Sequence, residues 1–269
     1  MLATTRLAAH RGGAQLWAEN SVLAFRNALA LGADLVELDV HLSADGELVV
    51  IHDPTLDRTT DGAGAVVARP AAELRRLRLR EPGGALTDER LPLLADVLVL
   101  TRDSAVGLLV EVKGPRPGAG VGYERRDGVV HCQPGPCYEG LEERLVAALA
   151  AAGVARRTTI MAFNPEVLGR VRALDPAQRT TLLVARGHLE RVGARPEAAV
   201  EWTLAAGASD LGLEHAVVDE EVLRRAHAAG LGLGAWTANE EDVMRRLVGL
   251  GVDVLTTDRP DVAKRVLGR

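Results

Sequence analysis

Short, β-rich apolar runs alternate along the chain with longer helical patterns. The runs predict strands at Arg6–His10, Leu35–Val40, Leu108–Val112, Thr158–Phe163, Thr180–Val184, Ser209–Leu213, Leu231–Trp236 and Val252–Thr256. Three helices between them carry clear end signals. Ser21–Leu31 has Asn20 or Ser21 as its N-cap and Gly32 as its stop, Asp219–Ala229 opens on a capping acid and ends at Gly230, and Asn239–Leu250 opens on a capping Asn and ends at Gly251. Eight strands each followed by a helix predict an α/β fold in which a parallel sheet closes into a (β/α)₈ TIM barrel. An open doubly wound sheet shares the alternation, so the strand count decides between them.

Two segments break the rhythm. Pro54–Arg90 separates the second strand from its helix and contains TTDGAG and PGGAL, which reads as a small insertion into a single barrel domain spanning residues 1–269. Gly114–Gly140 is a second insertion, rich in proline and glycine. Both follow the C-terminal ends of strands, the face where barrel active sites are built.

Composition narrows the function classes. The 269 residues suit one barrel of roughly 250 residues. Glycine is in excess, 28 residues, or about 10% against a usual share of about 7%, so tight turns and close backbone approaches are expected. With 32 basic against 37 acidic residues the net charge is −5, which gives no surplus to neutralise a polyanion and argues against nucleic acid as a partner. No apolar run approaches the roughly 18 residues of a membrane span, and Met1–His10 lacks the basic-then-apolar order of a secretory leader, so a cytoplasmic protein is expected. Cys132 and Cys137 are too few for a disulfide framework and, beside His131, too few for a zinc site; free thiols or a minor loop staple are expected.

The chemistry concentrates near strand ends. Glu37 and Asp39 are two apart in LVELDV, so both carboxylates face one way, about 7 Å apart along the backbone. Buried charge of one sign needs compensation, by salt bridges or by a divalent cation. LSADG followed by ELVVIH reads as a hairpin with a two-residue Asp45-Gly46 turn; Ala44 opposite Glu47 sets Asp39 opposite His52. His10 ends the first strand, beside the second, and is followed by Arg11, whose planar fork suits a phosphate. Glu111 and Lys113 repeat the i, i+2 spacing on the third strand, either as a rim ion pair or as a third oxygen ligand with a positive charge beside it. Three carboxylates without cysteine favour Mg²⁺ or Ca²⁺ over Zn²⁺. Phe163 and Trp236 wall a pocket or pack in the core. Glu19-Asn20 serves capping or site support, and His41, His188, His215 and His227 read as surface or rim residues.

In order along the chain, His10-Arg11-Gly12, Glu19-Asn20-Ser21, Glu37-Leu38-Asp39, Asp45-Gly46, His52-Asp53, Glu111-Val112-Lys113, Trp236-Thr237 and Thr257-Asp258 resemble the motifs of the glycerophosphodiester phosphodiesterase family, over nearly the whole sequence. The resemblance implies a (β/α)₈ barrel with an insertion after the second strand. It implies His10 and His52 as an acid/base pair, Glu37, Asp39 and Glu111 as ligands of one divalent cation, and Arg11 and Lys113 on the phosphate; Phe163 and Trp236 are expected as substrate-binding residues of the pocket wall. The implied reaction is hydrolysis of a glycerophosphodiester to sn-glycerol 3-phosphate and an alcohol such as choline or ethanolamine. Two departures are Ala18, where proline is common, and Ala162, where serine is usual. Two other readings compete: a lysophospholipase D-like lipid phosphodiesterase, which needs an apolar mouth that 3% aromatic content does not suggest, and a non-catalytic barrel that binds phosphorylated ligands.

Overall fold

Among the described residues, 5–116 and 120–269 of the computed structural model, eight parallel strands close into a barrel. Met1–Thr4, where the leader reading begins, and residues 117–119 of the second excursion lie outside them. The barrel strands are Arg6–Ala9, Leu35–Leu42, Gly107–Val112, Thr158–Ala162, Arg179–Val184, Asp210–Glu214, Gly232–Trp236 and Val254–Thr257, matching the eight predicted runs to within a few residues at their ends. Each pairs with its neighbours, and closure comes from the first strand, which meets the eighth at Leu7↔Leu255 and the second at Ala8↔Leu35. Helices separate the strands in sequence, as the alternation predicts.

Both faces of the strands are buried, which explains why they read as nearly continuous apolar runs. Outward residues such as Leu38, Val110, Ile160, Leu182, Leu211 and Leu233 pack beneath the helices, whereas Ala8, Leu35, Leu109, Met161 and Leu183 fill the barrel axis. The alternation that sends Leu38 outward necessarily sends Glu37 and Asp39 inward.

Helix ends follow the sequence with one correction. Ser21, not Asn20, caps Val22–Leu31, its Oγ accepting from Ala24 N–H, and Gly32 closes that helix at φ +82°. Asp219 accepts from Val222 N–H to cap Glu220–Ala228. Asn239 does not cap Glu241–Leu250. The N-cap is Glu240, because the Asn239 amide is engaged with Thr257 and Asp258.

The hairpin register also differs from expectation by one residue. Val40 pairs with Val50, His41 with Val49 and Leu42 with Leu48, so a three-residue loop replaces the two-residue Asp45-Gly46 turn. A two-residue turn of that type needs positive φ at both central residues, and only Gly46 has it. Asp45 instead accepts from Ser43 Oγ at 2.6 Å and Ala71 N–H at 2.9 Å, which fixes it to the excursion. Asp39 therefore lies opposite Ile51, whose N–H donates to its carbonyl, and His52 emerges just past the ladder.

The first excursion contains the helix Ala71–Leu74 and an antiparallel pair, Arg78–Arg80 with Leu86–Arg90, over a small core that includes Ile51, Leu56, Leu74 and Leu79. The second contains the hairpin Gly122–Arg126 and Val129–Gln133, with Tyr123 stacked on Trp202 at 4.2 Å. Among the described residues no helix is long and apolar enough to cross a membrane.

Phe25, wholly buried on Val22–Leu31, packs in the layer between helices and barrel. Phe25→Ala is expected to cost about 3–5 kcal/mol through lost burial and a residual cavity, read as a lower denaturant midpoint.

Candidate active site

The mouth at the C-terminal ends of the strands gathers residues from distant parts of the sequence. The first strand ends at Ala9, and the chain turns sharply through His10-Arg11-Gly12-Gly13. Gly12 sits at φ +81°, where a Cβ would come within 2.7 Å of the Ala24 Cβ, so glycine alone lets this turn lie on the first helix. The turn aims the Arg11 N–H at Glu37 Oε2, 2.8 Å away.

Glu37, Asp39 and Glu111 converge from the second and third strands, each offering an oxygen within 4.8 Å of the others. Asp39 pairs directly with Glu111 in the strand register. All three side chains are buried. Burial, and then the neighbouring Asp39 charge, push the Glu37 carboxyl up to about 8. Burial opposes the charge on Asp39 too, but Lys113, Arg11 and His52 outweigh it and hold that carboxyl below its usual range.

Asp39 is held by Asn20, whose Nδ2 donates to Oδ2 at 2.8 Å. Its other oxygen, Oδ1, is buried and makes no hydrogen bond, although Lys113 Nζ lies 3.2 Å away. Lys113 donates to Glu111 Oε1 at 2.7 Å and so ion-pairs with both carboxylates. A tight cluster of buried carboxylates with one carboxyl driven toward its neutral form fits a hard divalent cation, which would relieve the repulsion.

The two predicted imidazoles flank the cluster. His10 Nδ1 is 2.6 Å from Asp258 Oδ1, and its Nε2 is 3.9 Å from Glu37. Burial lowers the affinity of His10 for a proton, yet the Glu37 charge and the Asp258 hydrogen bond leave it raised above normal. His52 Nδ1 is 2.7 Å from Asp53 Oδ1, and burial dominates there, so its pKa is lowered despite Asp39. His10, Arg11, Glu37, His52, Phe163 and Trp236 line the mouth end of a cavity of about 170 Å³ that runs down the barrel axis to Arg6, Asp210 and Asp253 at the opposite ends of the strands. Phe163 and Trp236 meet at right angles, with ring centres 5.6 Å apart. Among the described residues, buried Trp236 Nε1 has no hydrogen-bond partner, and buried Arg11 Nε has only an ion pair with Asp39 Oδ2 at 3.4 Å.

Several supporting residues were not singled out from sequence. Asn239 Nδ2 donates to Asp258 Oδ2 at 2.7 Å and so fixes the carboxylate behind His10. Behind His52, Arg58 grips Asp53 and reaches Glu19, which in turn accepts from Arg11, so one chain of charges joins the two flanks. Glu19-Asn20 thus supports the site, and Ser21 does the capping. His41, expected at the surface or rim, is wholly buried. Its Nε2 lies 3.0 Å from the His52 carbonyl and its Nδ1 2.8 Å from the Tyr138 hydroxyl, and burial lowers it to about 4. The period-two series Glu37, Asp39, His41 was the signal that could have placed it on the inner face. His188 is half-buried against Phe163, His215 is half-buried, and His227 lies at the surface beside Asp253. Cys132 and Cys137 are free thiols.

The sequence matches the family model described as the glycerophosphoryl diester phosphodiesterase family over residues 10–262. It is 32% identical over 247 residues to the glycerophosphodiester phosphodiesterase of Caldanaerobacter subterraneus, an alignment covering 91% of this chain and 90% of that one. The fold is similar to a crystal structure of glycerophosphodiester phosphodiesterase from Agrobacterium tumefaciens, with TM-score 0.74, 25% identity and coverage of 97% of this chain and 100% of that one. It is also similar to an Oleispira antarctica phosphodiesterase solved with the product sn-glycerol-3-phosphate, with TM-score 0.76, 25% identity and coverage of 99% and 98%. Carrying the ordered motifs on a closed barrel and matched over nearly its full length, the chain belongs to the glycerophosphoryl diester phosphodiesterase family and is an enzyme of the phosphoric diester hydrolase class.

Proposed function

We propose that the whole barrel, with its excursion at 54–90, acts as one catalytic domain that hydrolyses glycerophosphodiesters to sn-glycerol 3-phosphate and a free alcohol. The observation that carries this reading is the convergence of three buried carboxylates between two imidazoles, each backed by an aspartate. The product bound in the Oleispira antarctica structure supports the substrate class.

Glu37, Asp39 and Glu111 would hold one divalent ion, Mg²⁺ or Ca²⁺. When bound, such an ion supplies charge stabilisation to the phosphate oxygens in the transition state. Arg11 and Lys113 would add cationic donors at the same place, both already drawn to the cluster by ion pairs with Asp39. Phe163 and Trp236 would wall the glycerol arm, with the free Trp236 N–H as a donor to its hydroxyls.

Overall, a phosphorus–oxygen ester bond breaks, a water oxygen ends on phosphorus, and the water's proton ends on the departing alcohol. One imidazole accepts the nucleophile's proton while the other protonates the leaving oxygen. In each, the aspartate at Nδ1 fixes the ring and leaves Nε2 as the reacting nitrogen, the logic by which a buried carboxylate sets a catalytic histidine's tautomer. His41 and Tyr138 brace the His52 backbone from behind.

Release of glycerol 3-phosphate from glycerophosphocholine tests the reading directly; a folded protein that binds this substrate with Mg²⁺ yet forms no product would favour the non-catalytic alternative. His10→Ala and His52→Ala are each expected to lower kcat by roughly 10²–10⁴, and full turnover in either would remove the acid/base assignment. Chelator is expected to abolish activity, and Mg²⁺ or Ca²⁺ added back separately to restore it. Asp39→Asn should remain folded by circular dichroism but fail to recover on adding either ion.

A further inference from the structure

A second cavity, of about 420 Å³, opens beside the first, and His52, Glu111, Lys113 and Phe163 line both. Its far walls come from the second excursion and from the segment around His188. A phosphodiester seated at the carboxylate cluster has two ester arms, and two cavities meet there. The first, at its end beside Phe163 and Trp236, is the place given above to the glycerol arm; the second falls within the roughly 300–1,000 Å³ of small-molecule sites.

The lining of the larger cavity is unbalanced in charge. Among the described residues around it, Lys113 and Arg116 are cationic, and Glu111, already within the carboxylate cluster, is the only acid. His188 Nδ1 accepts from the Ala185 N–H at 3.3 Å, which leaves Nε2 as the protonated, donating nitrogen. The aromatic residues there are packed against one another or against histidines. Tyr138 is buried at right angles to His41, and Phe163 lies at right angles to both Trp236 and His188. The site offers donors and positive charge, and no acid of its own to meet a cation.

On the reading given under Proposed function, we infer that this second cavity receives the leaving alcohol and selects head groups rich in hydroxyl or anionic oxygen over cationic ones such as choline. Arg116 and His188 are the specificity-determining residues: they touch the departing alcohol and not the reacting phosphorus.

The test compares kcat/KM for glycerophosphoinositol, glycerophosphoinositol 4-phosphate and glycerophosphocholine by glycerol 3-phosphate release at saturating Mg²⁺. At least one oxygen-rich diester is expected to exceed glycerophosphocholine by roughly tenfold, as charge-assisted hydrogen bonds to Arg allow. Arg116→Gln and His188→Leu are each expected to shrink that ratio, mainly through KM. A larger effect of Arg116→Gln on the phosphorylated diester would identify charge as the selected feature; equal effects on both inositol substrates would identify hydroxyls. Equal or better turnover of glycerophosphocholine, or variants that leave the ratio unchanged, would overturn the inference while the phosphodiesterase reading stands. Hydrolysis of none of the three would overturn that reading and the inference with it.

Discussion

Mutual repulsion among Glu37, Asp39 and Glu111 is the constraint around which the rest of the molecule is arranged. Three carboxylates buried within a few ångströms cannot all stay charged without compensation. The protein supplies part of it: Lys113 and Arg11 bring positive charge, Asn20 and the Arg11 backbone N–H bring donors, and Glu37 is left to favour its protonated form. The cluster is thus held incompletely neutralised, which fits a site for a divalent cation.

The excursions from the barrel serve this arrangement. The first carries Arg58 back to Asp53 and Glu19, so the loop that bears one imidazole is tied to the loop that bears Arg11. The second delivers Tyr138 to His41, beneath the backbone of His52. Loops that look like interruptions in the strand–helix rhythm thereby brace His52 and Arg11, and a rigid barrel supplies the frame they stand on.

The barrel itself was legible because its signals are local. Apolar runs of strand length and capped helices such as Ser21–Gly32 state their identity within a dozen residues. Convergence of Glu37, Asp39 and Glu111 was legible for the same reason, since two neighbouring parallel strands with i, i+2 spacing leave little freedom. What escaped were contacts set by tertiary position. Asn239 looks like a helix cap until Asp258 claims its amide, and Arg58 shows nothing in sequence that pairs it with Glu19, 39 residues away. The hairpin register slipped because Asp45 was already bound by Ser43 and Ala71. His52 still reaches the site, because it lies beyond the last ladder pair, where the alternation of faces no longer governs it.

The hydrogen bond between His10 and Asp258 spans 248 positions and joins the first strand's exit to the last strand's exit. Barrel closure and alignment of that imidazole are consequently one event. A nascent polypeptide still lacking its final strand holds the oxygen cluster and both rings in its sequence, but has nothing to orient the first of them.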